Sequence, residues 1–297
     1  MNLKVWFMET RPSFLLLTPL AFSVGLSEAY IEGSFNAFRA LLGLAGVMLA
    51  HLSVNVINDY FDYRSGLDLK IKRTPFSGGS GILPAGLLEA KDTYLFAVGC
   101  LILGGCIGAY FALTTGWMLL PLIATAAFTI YFYTTHLSHW FVGEIFTGLN
   151  FGPLMALGAY FIQTGRYSLS ALAPGVIPGI LVGTLLFLNE FPDVGPDREA
   201  GRRNAVIHLG LARSSRIYVL LIASVYVWMV ACILSGLMPT TMLVGFVTLP
   251  LAVKAARGVL RDYGDVEKLI PSLGVNVMLV LSTTGVTSLG LLLSKFI

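Results

Sequence analysis

FRALLGLAGVMLAHLSVNVINDYFD, residues 38–62, begins as an apolar run and closes on polar side chains that share one side of a helix. Residues 38–57 are enough to carry a helix across the hydrocarbon core of a bilayer, which takes roughly 20 apolar residues. Asn55, Asn58, Asp59 and Asp62 then stand at i, i+3, i+4 and i+7, the spacing that stacks side chains on one helical face. Amides and carboxylates at the end of a lipid-spanning helix are expensive, so in a charge-poor chain they mark a candidate functional site.

The same kind of run recurs outward from this one. Apolar stretches at 13–31, 93–113, 116–133, 141–163, 171–191, 216–236, 238–256 and 274–293 bring the expected total to nine spans. The fold class is therefore an all-α, multi-pass membrane protein, a single domain over 1–297. Its composition agrees: 56% of the 297 residues are hydrophobic and 12% charged, with a mean hydropathy of +0.80. A soluble domain carries about twice that charged share. A net charge of +3 is too small and too dispersed for nucleic-acid binding. Cys100, Cys106 and Cys232 lie in apolar runs and imply no disulfide framework. The first run has no small-residue cleavage site and reads as a structural helix.

Nine spans put the amino terminus and the segments after spans two, four, six and eight on one side. Sixteen of the nineteen Lys and Arg fall there; only Arg39, Arg166 and Lys295 fall opposite. The positive-inside rule makes that side cytoplasmic.

A second polar cluster closes span six: Asn189, Glu190, Phe191, Pro192, Asp193, then Asp197, Arg198 and Glu199. Asn58-Asp59-Tyr60-Phe61-Asp62 and Asn189-Glu190-Phe191-Pro192-Asp193 share one pattern: Asn, acid, aromatic, any residue, Asp. An even number of spans separates them, so both emerge on the cytoplasmic side. The economical reading is a parallel duplication, with pseudo-repeats at about 1–137 and 138–260 and a final helix at 274–293.

Facing carboxylates and amides suit Mg²⁺, a hard cation that bridges a few carboxylates to phosphate oxygens. Basic residues follow each cluster: Lys70, Lys72 and Arg73 after the first, Arg198, Arg202 and Arg203 after the second. Cations beside carboxylates call for an anionic third party, and a diphosphate held by Mg²⁺ on one side and Lys or Arg on the other satisfies both. Either cluster alone also reads as ordinary juxtamembrane ion pairing. The stretch Phe76-Ser77-Gly78-Gly79-Ser80-Gly81 is either a phosphate cradle or a flexible loop.

At these residues the chain resembles the UbiA superfamily of intramembrane aromatic prenyltransferases, marked by Asn-Asp-x-x-Asp in one half and Asp-x-x-x-Asp in the other. Here these are Asn58-Asp59-Tyr60-Phe61-Asp62 and Asp193-Val194-Gly195-Pro196-Asp197. Asp59 through Asp68, Gly143-Glu144 and Phe151-Gly152-Pro153 look most like the branch that prenylates 1,4-dihydroxy-2-naphthoate in menaquinone synthesis. The resemblance implies nine helices around a central cavity. It also implies Mg²⁺-dependent transfer from a polyprenyl diphosphate to an aromatic acceptor within membrane lipid, with no obligatory protein partner. Other branches take 4-hydroxybenzoate or a glyceryl-phosphate lipid as acceptor.

On that reading Asn58, Asp62, Asp193 and Asp197 are the magnesium ligands, with Asp59 and Asp68 beside them, and Lys70, Arg73, Arg202 and Arg203 grip the leaving diphosphate. Tyr133, closing span four, matches the family's tyrosine at that helix end and stabilises the allylic cation, unless it or Tyr131 belongs only to an interfacial aromatic belt. Arg11 either meets the acceptor's carboxylate or anchors span one. His51 is either a hydrogen-bonded core residue or an acceptor-pocket group. An ion-coupled transporter is the main rival from another class, but its site should lie near the midplane, whereas both clusters here close helices on one side.

Overall fold

The computed structural model describes residues 2–69, 73–137, 142–199 and 201–297, and every regular element among them is helical. A short α1, Leu3–Glu9, starts where the Asn2 side chain accepts the Lys4 N–H. Then come α2 (Pro12–Ile31), α3 (Ala37–Arg64), α4 (Ala90–Thr114), α5 (Trp117–Phe132), α6 (Gly143–Thr164) and α7 (Leu169–Asn189). Two short helices, α8 (Val194–Glu199) and α9 (Ala205–Leu209), precede α10 (Leu211–Leu234), α11 (Thr240–Asp262) and α12 (Val266–Leu293).

Eight of these, α2, α3, α4, α6, α7, α10, α11 and α12, are long and apolar enough to cross a membrane. The ninth expected span, 116–133, is the shorter α5: a tight turn opens it after Gly116, and it ends at Phe132 with Tyr133 as its C-cap. The last span runs longer than 274–293, because Asp265 caps it by accepting the Lys268 N–H at 3.2 Å. The motif helix α3 likewise continues through Asp62 to Arg64, so Asn58 and Asp62 sit on successive turns of one regular helix.

Helix α7 is the hub. Most of it is buried, and it packs on α6, α10, α12 and α2. Its approach to α6 depends on glycine: a Cβ on Gly152 would run into the Gly179 backbone, and one on Gly183 would lie 3.0 Å from the Glu144 carbonyl. Small residues let two backbones close to van der Waals distance in lipid, where packing drives helix association. On the other side of α7, Tyr218 donates to Asn276 Oδ1 at 2.9 Å and Trp228 to the Ala173 carbonyl at 2.8 Å, locking α10 to α12 and α7. Helix α6 widens to a π-type turn over Asn150–Leu154, because Pro153 brings no N–H to the ladder. That turn sets Phe151 edge-on to His51 of α3, ring centroids 4.8 Å apart. Helices α2 to α7 line a cavity of about 420 Å³ that reaches the ends of α3 and α7 carrying the acidic motifs.

Candidate active site at the acidic end of the bundle

Asn58 and Asp62 line the cavity mouth, and the Asn58 amide donates to Asp62 Oδ2 at 3.3 Å and to Thr134 Oγ1 at 2.9 Å. Arg11 reaches the same point from the start of α2: its guanidinium donates to Asn58 Oδ1 at 3.4 Å and lies 3.7 Å from Asp59. Its backbone has φ 54°, the one positive φ on a non-glycine among the described residues. Such a conformation costs on the order of 1–2 kcal/mol. These two contacts and the turn into Pro12 hold it there. Arg11 thus serves the first motif as well as lining the cavity.

Asp59 points away from the cavity to a strap formed by the Gly-rich stretch. The Ser80 N–H donates to Asp59 Oδ2 at 2.7 Å, and the Ser80 hydroxyl donates to Glu9 Oε2 at 2.6 Å. Gly79 holds φ +70°, and a Cβ there would lie 3.2 Å from Asp59 Oδ1 and 3.4 Å from Asp68 Oδ2, so the strap needs glycine both for conformation and for room. At its other end the Ser77 hydroxyl donates to Asp193 Oδ1 at 3.3 Å, and the Phe76 ring rests against Gly274 of α12. The stretch is therefore not a loose loop; it crosses the mouth, lines the cavity with Ser77, Gly78 and Gly79, and joins both motifs.

The second motif is built around Asp197. Its carboxylate accepts from Arg202 at 3.2 Å and from the Asn204 amide at 3.1 Å, while Asn204 also caps α9. Arg202 reaches across to Asp62 as well, so one guanidinium ties the two motifs together. Behind them Glu190 shares a hydrogen bond with Glu144, and burial, with the neighbouring Glu144 charge, pushes its carboxyl well above the usual range. Burial, then Asp197, raises Asp193 to about 7. Burial, then Asp62 and Asp59, raises Asp68 to about 7. Glu9 is raised to about 8 by burial and by Asp59. Carboxyl groups packed this densely favour positive charge among them.

The donor set fits magnesium. Asp59 Oδ1 and Asp68 Oδ2 are buried without a hydrogen-bond partner and converge beside Gly79. Among the described residues no three His, Cys, Asp or Glu gather closely enough to hold a metal unaided. Arg202 already sets positive charge between Asp62 and Asp197, where charge neutralisation is required.

Of the expected diphosphate grips, Arg202 lines the cavity, whereas Arg73 and Arg203 are exposed and do not; Lys70 and Lys72 lie outside the described residues. Tyr133 lines the cavity, while Tyr131 pairs its hydroxyl with Tyr94 at 3.1 Å. His51 shares a 2.6 Å hydrogen bond with Thr18 and is buried, which is the core role, though one edge of it touches the cavity.

The sequence matches the UbiA prenyltransferase family over residues 17–282. The chain belongs to that family. It is an intramembrane prenyltransferase, and its relatives narrow the comparison. It is 25% identical to the 1,4-dihydroxy-2-naphthoate octaprenyltransferase of Bacillus subtilis (strain 168), covering 99% of this chain and 94% of the relative. It is also 25% identical to the 2-carboxy-1,4-naphthoquinone phytyltransferase of Synechocystis, over 89% and 85%. The fold is shared with a UbiA homologue from Archaeoglobus fulgidus bound to GPP and Mg²⁺, at a TM-score of 0.64, 16% identity and coverage of 95% and 99%. It is shared too with the apo UbiA homologue from Aeropyrum pernix K1, at a TM-score of 0.65, 14% identity and coverage of 93% and 97%.

Sequence reasoning met Glu144 only as part of the family resemblance and Ser80 only within the Gly-rich stretch, with no role for either side chain, and did not single out Glu9 as part of this UbiA-family site. Glu9 had a signal: it is the only acid among the first 27 residues, two positions before Arg11. Ser80 had none, because its role depends on where the strap lands.

Proposed function

We propose that the chain transfers a polyprenyl group from its diphosphate to an aromatic acceptor of the 1,4-dihydroxy-2-naphthoate kind, for menaquinone synthesis, at a mouth facing the cytoplasm. The observation that carries this reading is the joining of Asp62 and Asp197 through Arg202 at the head of an apolar cavity. A charged diphosphate belongs at the acidic head and a prenyl tail in the apolar part. The naphthoate acceptors named for the curated relatives support the acceptor class. The sixteen-to-three split of basic residues supports the cytoplasmic side. The matching ends of α3 and α7 support a duplicated ancestry.

Asn58, Asp62, Asp193 and Asp197, with the unpartnered oxygens of Asp59 and Asp68 beside them, would hold Mg²⁺, which when bound would neutralise charge building on the leaving diphosphate. Arg202 swings its fixed charge from the two carboxylates to the diphosphate oxygens, and Arg11 keeps Asn58 and Asp59 oriented. The allylic C1–O bond breaks with its electron pair on the diphosphate, a ring carbon of the acceptor supplies the pair for the new C–C bond, and that carbon then sheds the group it carried, a proton or the carboxylate as CO2, whose bonding pair restores the aromatic ring. The cavity wall below Tyr133 keeps water from the cationic carbon.

The test is incubation of purified protein with radiolabelled polyprenyl diphosphate, Mg²⁺ and a panel of aromatic acids and glyceryl phosphates. A prenylated naphthoate is expected, lost in excess EDTA and in Asp62→Ala and Asp193→Ala. Full turnover in EDTA sinks the magnesium reading, and a product formed on glyceryl phosphate alone sinks the acceptor.

A further inference from the structure

Along α5 and α6 the cavity wall is apolar but for Tyr133, Thr129, Thr147 and Asn150. Tyr133 stands at the mouth, since the next residue, Thr134, meets Asn58 there. The two threonines place their protons on their own helices. The Thr147 hydroxyl donates to the Gly143 carbonyl at 2.9 Å, and the Thr129 hydroxyl donates to the Thr125 and Ala126 carbonyls, each at 2.9 Å. A hydroxyl bonded back in this way has only lone pairs left to offer.

Asn150 stands where α6 opens into its π-type turn, and its amide is tied at the nitrogen. That nitrogen donates to the Phe146 carbonyl at 2.7 Å on the same helix and to Thr129 Oγ1 at 2.9 Å on α5. A backbone carbonyl can only accept, and Thr129 has already placed its proton, so the NH2 group has to lie on that side and the carbonyl oxygen on the other. Both hydrogens of the amide are taken up inside the wall. Among the described residues none donates to Asn150 Oδ1, so the oxygen is the polar atom this side chain leaves for the cavity it lines. Hydrogen bonds at the nitrogen polarise the amide and strengthen the oxygen as an acceptor. In an apolar wall such an oxygen is costly until a donor meets it.

We infer that Asn150 Oδ1 seats a ring hydroxyl of the acceptor, and so selects hydroxyaromatic acids over those that lack that hydroxyl. The inference rests on the prenyl-transfer reading above and names a specificity-determining residue for its second substrate. The reactants leave one candidate donor. A polyprenyl tail carries only C–H groups, and diphosphate oxygens accept, whereas the hydroxyls of a dihydroxyaromatic acceptor donate. A site that offers a fixed acceptor to a substrate hydroxyl rejects the analogue without it, because its own polar group is then left unpaired.

The depth agrees. Thr129, which holds the amide, is four residues before Tyr133, so Asn150 stands about one helical turn, or about 6 Å, below Tyr133. That is about the separation of two oxygens placed para on one aromatic ring. With one hydroxyl at Asn150, the other lies at the level of Tyr133 and the ring carbons between them lie just under the acidic head. Phe151, the next residue along α6, lines the cavity too and offers aromatic surface to a flat ring.

The experiment uses the full chain in detergent with Mg²⁺ and inorganic diphosphate. It measures by calorimetry the binding of 1,4-dihydroxy-2-naphthoate and of the two analogues that each lack one hydroxyl, 1-hydroxy-2-naphthoate and 4-hydroxy-2-naphthoate. Prenyl transfer from a polyprenyl diphosphate to the dihydroxy acid is measured separately. In the native protein one analogue should bind about as well as the dihydroxy acid and the other about tenfold more weakly, the loss of one hydrogen bond to an oriented partner. In Asn150→Leu, close in size and without the oxygen, that gap should close while affinity for the polyprenyl diphosphate stays unchanged. Asn150→Ala takes its place if Asn150→Leu does not fold. Thr129→Val tests a merely structural role: it cuts the tie between α5 and α6 but leaves the Asn150 oxygen, so the gap should persist. No gap in the native protein, a gap that survives loss of Asn150, or one that Thr129→Val closes equally overturns the assignment. A gap that depends on Asn150, found without any prenyl transfer, upholds the hydroxyl seat and sinks the transfer reading. Transfer with binding blind to both hydroxyls sinks the seat alone.

Discussion

Replacing Arg202 with glutamine removes the one side chain that holds Asp62 and Asp197 at the same point. The Arg202 side chain is 15% exposed, Asp62's 12% and Asp197's 4%, so little water remains to take over the lost charge. Breaking a buried ion pair by deleting one partner costs roughly 3–5 kcal/mol. Here the stranded carboxylates can take up protons, which holds the loss near the low end, about 3 kcal/mol. On the proposed function, magnesium would compete for the same two carboxylates. A ligand at a hundred times its Kd contributes about 2.7 kcal/mol, so saturating Mg²⁺ should recover most of what the substitution removes.

The native protein gains less from Mg²⁺, because Arg202 must first give up its partners. Thermal unfolding in detergent should therefore show Arg202→Gln melting well below the native protein in EDTA and approaching it in Mg²⁺. Single-turnover transfer at saturating donor should still fall by about 10²-fold or more, the loss expected for one preorganised electrostatic contact. Arg203→Gln is the control: Arg203 is exposed and outside the cavity, so its melting should shift by no more than about 0.5 kcal/mol. Identical melting of Arg202→Gln and the native protein in EDTA, or equal gains from Mg²⁺, would refute the placement of Arg202 between the motifs.

Glu9→Ala should slow turnover by about tenfold, the worth of one hydrogen bond that positions the strap, and Glu9→Gln should restore most of it by still accepting from Ser80; equal losses in both argue against positioning. Melting in EDTA should fall as pH rises from 5 to 8. Asp68 and Asp193 sit near pKa 7 when folded against an ordinary 3.8, so between these values the folded state binds more protons and loses stability as they leave. Magnesium affinity should rise over the same window, as it needs the deprotonated groups; a flat melting profile counts against the packed carboxyl cluster. In a cysteine-free background, a cysteine at Arg203 should react with an impermeant label from the cytoplasmic side and one at Ile297, 94% exposed, from the other; the reverse pattern inverts the site.

The helices and both motifs were legible because they are local. Asn58 and Asp62 are four apart on one helix, and hydropathy marks the spans whatever they pack against. The difference between Arg202 and Arg203 was not. The two are neighbours in sequence, and only the turn after α8, closed by the Arg202 N–H on the Asp197 carbonyl at 2.9 Å and by Asn204 on the Asp197 carboxylate, sends one inward and the other to solvent. Glu9 lay in a segment too short for periodicity to register, and its burial depends on a strap seventy-one residues further along the chain. The tie from Asp62 to Arg202 joins residues 140 apart. No local pattern predicts such a contact, but the repeated Asn-acid-aromatic-x-Asp pattern at the same end of two helices narrows where it has to form. An even number of spans between two acidic helix ends places both on one face of the membrane. Carboxylates gathered on one face repel unless a cation stands among them. The arginine that follows the second motif meets that electrostatic need in the chain itself, so the position open to magnesium is one the fold has to neutralise in any case.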